Sequence, residues 1–251
     1  MEKSTKMGSN LTGIDMSPID SKAMIEGAEQ YTNIDQKHED GYSYEQIRRQ
    51  YIQDSDAVGS VPLPGSIKGA FKSMMDKLKG NNPEMLINKL GERLAFERTG
   101  VRFYESFILK CEAKLKEQGI RVPMDELREI RDEELEHFQM LKKAIESMGA
   151  DPTAMTPDAD VSGVAAMGVQ QVLNDPRTTI SQCLQMLVII ESTDNAAWEV
   201  LIKLTEDLGL DDMTAQFQQA LRQEESHLHR VKAWYEEAVR TQAKKSMSMS
   251  H

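Results

Sequence analysis

The sequence predicts an all-α protein whose main body is a bundle of four long helices. They form two antiparallel hairpins joined by a long crossover and preceded by an N-terminal extension. Three observations carry this reading. Apolar residues recur at alternating steps of four and three along four long segments, the period of a helix that buries one face. Proline and glycine stand at the ends of those segments, where helices open and close. The 251 residues hold only 15 Gly and 8 Pro against many Leu, Met, Glu, Gln and Lys, a helical and not an all-β composition.

The elements follow in order. The first 60 residues carry six Lys/Arg against eleven Asp/Glu and few large apolar side chains. That is too little hydrophobic surface to offset the entropy of ordering them, so residues 1–62 read as a mostly disordered acidic tail. One short helix fits "SYEQIRRQYIQ", where Ser43 and Gln46 have capping-box spacing. The segment "GSVPLPGS" reads as a linker. Residues 63–80 contain an amphipathic helix, "SIKGAFKSMMDKLKG", with Ile67, Phe71, Met74 and Leu78 on one side and Lys68, Lys72, Lys77 and Lys79 around it. Packing on its own domain or a neighbouring subunit is favoured over binding at a membrane surface.

The bundle is expected over 81–244. Asn82 and Pro83 open a helix over about 83–117 that stops near Gly119, and Pro123 opens a second that ends near Gly149. A shorter helical piece is expected at 161–173, followed by long helices over about 178–208 and 211–243 and a flexible tail at 245–251. Short connections after the first and third long helices make two hairpins, and the long middle segment can cross over the bundle.

The apolar seams hold charged residues at their centres. They read Leu90, Leu94, Glu97, Val101, Tyr104, Ile108, Cys111; then Leu127, Ile130, Glu134, His137, Leu141, Ala144, Met148; then Leu184, Leu187, Glu191, Asp194, Trp198, Leu201; and last Phe217, Ala220, Glu224, His227, Val231, Trp234. Burying an isolated carboxylate costs several kcal/mol, and facing carboxylates also repel, so something positive is needed among them. Four glutamates and two neutral histidines offer oxygen and nitrogen donors suited to Fe(II), Mn(II) or Zn. Two divalent ions would balance the charge of Glu97, Glu134, Glu191 and Glu224.

Spacing supports the same conclusion. Glu134 with His137 and Glu224 with His227 are i, i+3 pairs on one helical face. Each hairpin supplies one lone glutamate and one Glu-x-x-His, separated by 134 - 97 = 37 residues in the first and 224 - 191 = 33 in the second. An aromatic residue, Tyr104 or Trp198, follows each lone glutamate by seven.

On these residues the chain resembles the ferritin-like di-iron carboxylate superfamily, above all its bacterioferritin and rubrerythrin branches. The resemblance covers about residues 83–243, and this ligand pattern is a standard description of that superfamily. It implies a ferritin-like four-helix bundle with two iron ions, manganese or a mixed pair being alternatives. Glu97 and Glu191 would be terminal carboxylates, Glu134 and Glu224 bridging ones, and His137 and His227 the nitrogen ligands. Tyr104 matches a tyrosine that can hydrogen-bond a ligand or supply an electron, the catalytic role expected here, or else is a core tyrosine. Asp194 stands where rubrerythrins place an extra glutamate ligand. Being shorter, it is expected to bond a histidine more readily than to ligate directly. Trp198 belongs with it beside the site.

Departures narrow the comparison. Leu135 replaces the haem-ligating methionine of bacterioferritin, so no haem is expected. Only "KKSMSMSH" follows the last helix, which argues against the 24-subunit storage cage. Two cysteines without a C-x-x-C pair, Cys111 and Cys183, rule out a disulfide framework and a rubredoxin-type relay.

The expected activity is therefore oxidation of Fe(II) with O2 or H2O2, as ferroxidase turnover or peroxide removal in iron homeostasis or oxidative-stress defence. Two alternatives stand beside it. One is a di-iron oxidase or oxygenase of an organic substrate. The other is a non-enzymatic scaffold with structural metal, recruiting a protein partner through the N-terminal tail. A copper or oxidant-scavenging role for the 16 methionines rests on the terminal "SMSMSH" alone, because most others fall at core spacing. The net charge of -11 argues against nucleic acid as a partner. No signal-peptide pattern or long apolar run is present, so a cytoplasmic protein without membrane association is expected, and the resemblance implies a homodimer or larger homo-oligomer.

Overall fold

The computed structural model describes residues 18–32, 44–62 and 83–248. Among the described residues all regular secondary structure is helical. The chain divides into two compact units, Met1–Val58 and Gly59–His251.

The first unit contains helices α1 (Pro18–Thr32) and α2 (Tyr44–Asp54). Helix α2 is the one expected at "SYEQIRRQYIQ"; it buries no residue, and Arg49 pairs with Glu45 one turn away at 2.7 Å. Helix α1 corrects the reading of this region as a tail with at most one helix. Its sequence signal is Pro18 at the first helical position. The amphipathic segment at 63–80 lies outside the described residues.

The second unit is a helical bundle built from α3 (Pro83–Gln118), α4 (Met124–Ser147), α5 (Pro157–Asn174), α6 (Ile180–Asp207) and α7 (Asp211–Ser248). Helices α3 and α4 pack along one another, as do α6 and α7; α3 meets α6, and α4 meets α7. Thr179 caps α6 reciprocally with Gln182, satisfying amides that the helix start would otherwise leave open. At the ends of α4 and α6 the chain turns through Gly149 and Gly209 at φ 79 and 64. The amides beyond them reach back, Ala150 to Ile145 O at 3.2 Å and Leu210 to Thr205 O at 3.0 Å.

Two boundaries differ from expectation. Helix α5 begins at Pro157 and not near 161, because Thr156 and Pro157 form a start signal. Helix α7 continues to Ser248, since "TQAKKSMS" contains neither glycine nor proline to stop it, so the flexible tail expected from 245 gives way to helix as far as the described residues extend.

Helix α5 is the crossover, and it lies along α3. Its start is tied by Asp158 N to Asn88 Oδ1 at 3.0 Å and by Lys89 to Asp158 at 2.7 Å. Its middle is tied by Gln170 to Ser106 at 3.0 Å, and its far end by Lys110 to Asp175 O at 2.6 Å.

Every residue of the four expected seams is buried except Val101 and Met148, which are half-buried. The apolar core falls into two clusters. One gathers Tyr104, Phe107, Leu127, Ile130, Leu184, Leu187, Val231 and Trp234; the other gathers Leu90, Leu94, Leu141, Trp198, Leu201, Phe217 and Ala220. The buried acids and histidines occupy the seam positions between them. No helix among the described residues is long and apolar enough to cross a membrane.

Candidate metal centre

Glu97, Glu134, His137, Glu191, Glu224 and His227 are each at most 2% exposed, and the bundle brings all six together. They form overlapping groups whose donor atoms lie within 4.8 Å of one another. One group is Glu134, Glu191, Glu224 and His227; a second is Glu97, His137 and Glu224. Glu224 is common to both. Its Oε1 lies 2.7 Å from His137 Nδ1, and its Oε2 lies 3.1 Å from His227 Nδ1. Both rings therefore turn Nδ1 toward the carboxylates.

These side chains leave several of one another's polar atoms unsatisfied. Both oxygens of Glu97, Oε2 of Glu134 and Oε2 of Glu191 are buried with no hydrogen-bond partner. Orphaned buried acceptors are rare in proteins, because each forfeits its hydration without return. A cation where they converge would serve them all. The buried groups fit a metal site, and the donor set of carboxylates and imidazoles suits Fe(II), Mn(II) or Zn equally.

Asp194 is also buried, but its partner is Arg93 and not the histidine expected from the sequence. The Arg93 guanidinium donates from Nη1 to Asp194 Oδ1 and stacks on Phe96, 4.3 Å from the ring centre. Its Nε lies 3.7 Å from Glu97 Oε1. Asp194 remains within ligand reach of Glu97, Glu134 and Glu224. Tyr104 donates its hydroxyl to Glu191 Oε1 and so holds one of the site's carboxylates. Trp198 stands edge-on to His137, with ring centres 5.7 Å apart.

Burial and mutual repulsion shape the ionisation of this cluster when no metal is bound. Burial, helped by Glu224, pushes Glu191 up to about 8, and the same causes hold Glu134 well above the carboxylate range. Burial also raises Asp194 against the pull of Arg93. Glu224 moves the other way: burial opposes its ionisation, but His137 and His227 together hold it below its ordinary value. Burial disfavours the charged form of His137, yet Glu224 and Glu97 raise it to about 11. These shifts favour protonated forms of Glu134, Glu191 and His137. Burial and Glu191 raise the Tyr104 phenol well above its usual range.

Several residues of the site were not visible as such in the sequence. Glu133 accepts from His227 Nε2 at 2.7 Å, and Gln223 Oε1 lies 3.1 Å from His137 Nε2. Asn195 donates to the backbone carbonyls of Glu191, at 2.9 Å, and Glu224, at 3.1 Å, stitching α6 to α7 beside the candidate ligands. Gly100 leaves the space that Glu134 Oε2 occupies. The available signals were Arg93 one helical turn before Glu97, and a polar residue immediately before the glutamate of each Glu-x-x-His. Cys111 and Cys183 are free and buried, and burial, with Cys183 nearby, pushes the Cys111 thiol far up, which disfavours its thiolate.

The chain matches no family model, no curated protein and no solved structure.

Proposed function

We propose that this protein is a ferritin-like dinuclear metal oxidoreductase that binds two divalent ions, iron first among them, and oxidises Fe(II) with O2 or H2O2. One observation carries the reading: two buried donor groups share Glu224, and their charge suits two dications. Five buried acids, Glu97, Glu134, Glu191, Asp194 and Glu224, face one buried Arg93, so with neutral histidines the balance is -5 + 1 = -4. Arg93 and Asp194 cancel each other, which leaves four glutamates for two ions of charge +2. The two-hairpin packing with an α5 crossover supports the ferritin-like arrangement that the motif spacing implies.

When bound, the metal pair supplies the redox step. The chain's own residues do the rest. Glu134, Glu191 and His227 would hold one ion, Glu97 and His137 the other, and Glu224 would lie between them. The carboxylates favour the more highly charged oxidised metal. Tyr104 fixes the direction of Glu191 through its hydroxyl. The two apolar clusters flanking the site keep bulk water from the ligands.

The test is metal analysis of anaerobically purified protein, followed by rapid mixing of the Fe(II)-loaded form with O2 and with H2O2. Two metal ions per chain are expected, together with iron-dependent oxidant consumption that Glu134→Ala abolishes. Protein that binds no iron, or whose oxidant consumption is untouched by Glu134→Ala, would refute the proposal.

A further inference from the structure

The two Glu-x-x-His motifs repeat the same order of buried and exposed positions over residues 131–140 and 221–230. They differ at one position that touches the site from outside: Glu133 precedes Glu134, whereas Gln223 precedes Glu224. Each of these residues reaches across to the other hairpin's histidine. Gln223 Oε1 lies 3.1 Å from His137 Nε2, and Glu133 Oε2 lies 2.7 Å from His227 Nε2. The pair is also joined, because Gln223 Nε2 donates to Glu133 Oε1 at 3.0 Å.

That last bond fixes the amide. With its NH2 group on Glu133, Gln223 can present only its carbonyl oxygen to His137. A ring that ligates a metal through Nδ1 would then keep its proton on Nε2, outward. The acceptors of those protons are unequal, a neutral amide for His137 and a carboxylate for His227. A carboxylate that accepts the distal N–H raises the donor strength of an imidazole, and charge-assisted bonds of this kind are about twice as strong as neutral ones. Arg230 Nη2, 3.4 Å from Glu133 Oε2, steadies the carboxylate at its outer edge.

We propose that Glu133 is a positioning residue that makes the two ion positions unequal. The ion held by Glu134, Glu191, Glu224 and His227 binds first and more tightly; the ion held by Glu97, His137 and Glu224 binds second. This inference rests on the dinuclear reading above, and it goes further by assigning the order of occupation to one residue outside the ligand set.

The experiment is a titration of the full-length, metal-free protein with Co(II), followed by calorimetry and by visible absorption, with circular dichroism to confirm folding. Wild-type protein should take up two ions in resolved steps, their constants separated by roughly ten-fold or more. Glu133→Gln should weaken the first step by about ten-fold to a hundred-fold and bring it close to the second. Gln223→Leu should weaken the second step and leave the first in place, and Glu97→Gln should remove the second step alone. Should Glu133→Gln not fold, the Gln223→Leu and Glu97→Gln titrations decide the order of occupation. Two indistinguishable steps in wild-type protein would overturn the inference while leaving the dinuclear reading intact. So would a folded Glu133→Gln with wild-type constants, or one in which both steps weaken equally. Wild-type protein that takes up no Co(II) would overturn both.

Discussion

Gly100 lies three residues after Glu97 on α3, at the point where a Cβ would collide with Glu134 Oε2. A glycine in a helix interior costs about 0.5–1 kcal/mol relative to alanine, so its presence here is an expense of the site and not of the helix. Gly100→Ala separates the two. The clash is with the end of a flexible side chain, so metal-free protein should melt at or slightly above the wild-type temperature. The displaced Glu134 should lower divalent-metal affinity on the order of ten-fold or more, measured by Co(II) titration. A variant with unchanged metal affinity would show that Glu134 is not held where a ligand must be. At this scale the sequence disclosed which six carboxylate and imidazole side chains the bundle buries together, because seam position and i, i+3 spacing are properties of a single helix. It did not disclose Arg93 on Asp194, Glu133 on His227 or Gln223 on His137. Those contacts cross between helices, and nothing in one helix's spacing says which outer residue will face which histidine.

Among the elements, α5 is the one whose placement depends most on tertiary contacts. The four long helices were legible because proline and glycine mark their ends and because one apolar seam runs the length of each. The face of α3 bearing Phe103 and Phe107 is a second apolar stripe, and α5 covers it with Ala166, Val169 and Leu173. Sequence reasoning let the middle segment cross over the bundle but assigned α3 a single seam, and so did not say which face the crossover covers. The buried Lys110 secures the far end of α5, its ammonium donating to Asp175 O at 2.6 Å and to the Thr178 hydroxyl. Replacing it with methionine keeps much of the stem's packing but leaves these acceptors without their cation. Lys110→Met should cost about 1–3 kcal/mol in chemical denaturation. It should also raise amide exchange across the α5–α6 connection while leaving metal stoichiometry at the wild-type value. Unchanged stability would mean that the connection is held by the Thr178 hydroxyl, Lys114 and the Asp175–Arg177 pair.

For the whole molecule, the polar layer sets how stability responds to pH and to metal. In the metal-free bundle Glu191 is raised to about 8 from its ordinary 4.5, and His137 to about 11 from 6.5. The folded protein therefore holds protons that the unfolded chain has already released across the neutral and mildly alkaline range. Stability falls with rising pH wherever the folded state binds more protons than the unfolded state, so the Glu191 contribution is complete below about pH 4.5 and lost as pH rises through 8. The His137 contribution is complete below about 6.5 and declines toward 11, in the same direction. Glu224 and Glu133, whose values are lowered, are ionised in both states above about pH 5 and add no slope in this range. Chelated protein should thus melt at a lower temperature at pH 9 than at pH 6. On the proposed reading, bound metal would reverse the sign of the response. It would displace the protons, bind more tightly as they leave, and stabilise the folded state in proportion to the logarithm of its concentration over its dissociation constant. Melting curves at pH 6, 7.5 and 9, with chelator and with saturating Mn(II), should diverge as pH rises, and Glu191→Gln should flatten part of the chelated slope. Chelated protein whose stability is level or rises from pH 6 to 9 would mean that the carboxylates are ionised and compensated without metal, and the cluster would then be a structural ion network.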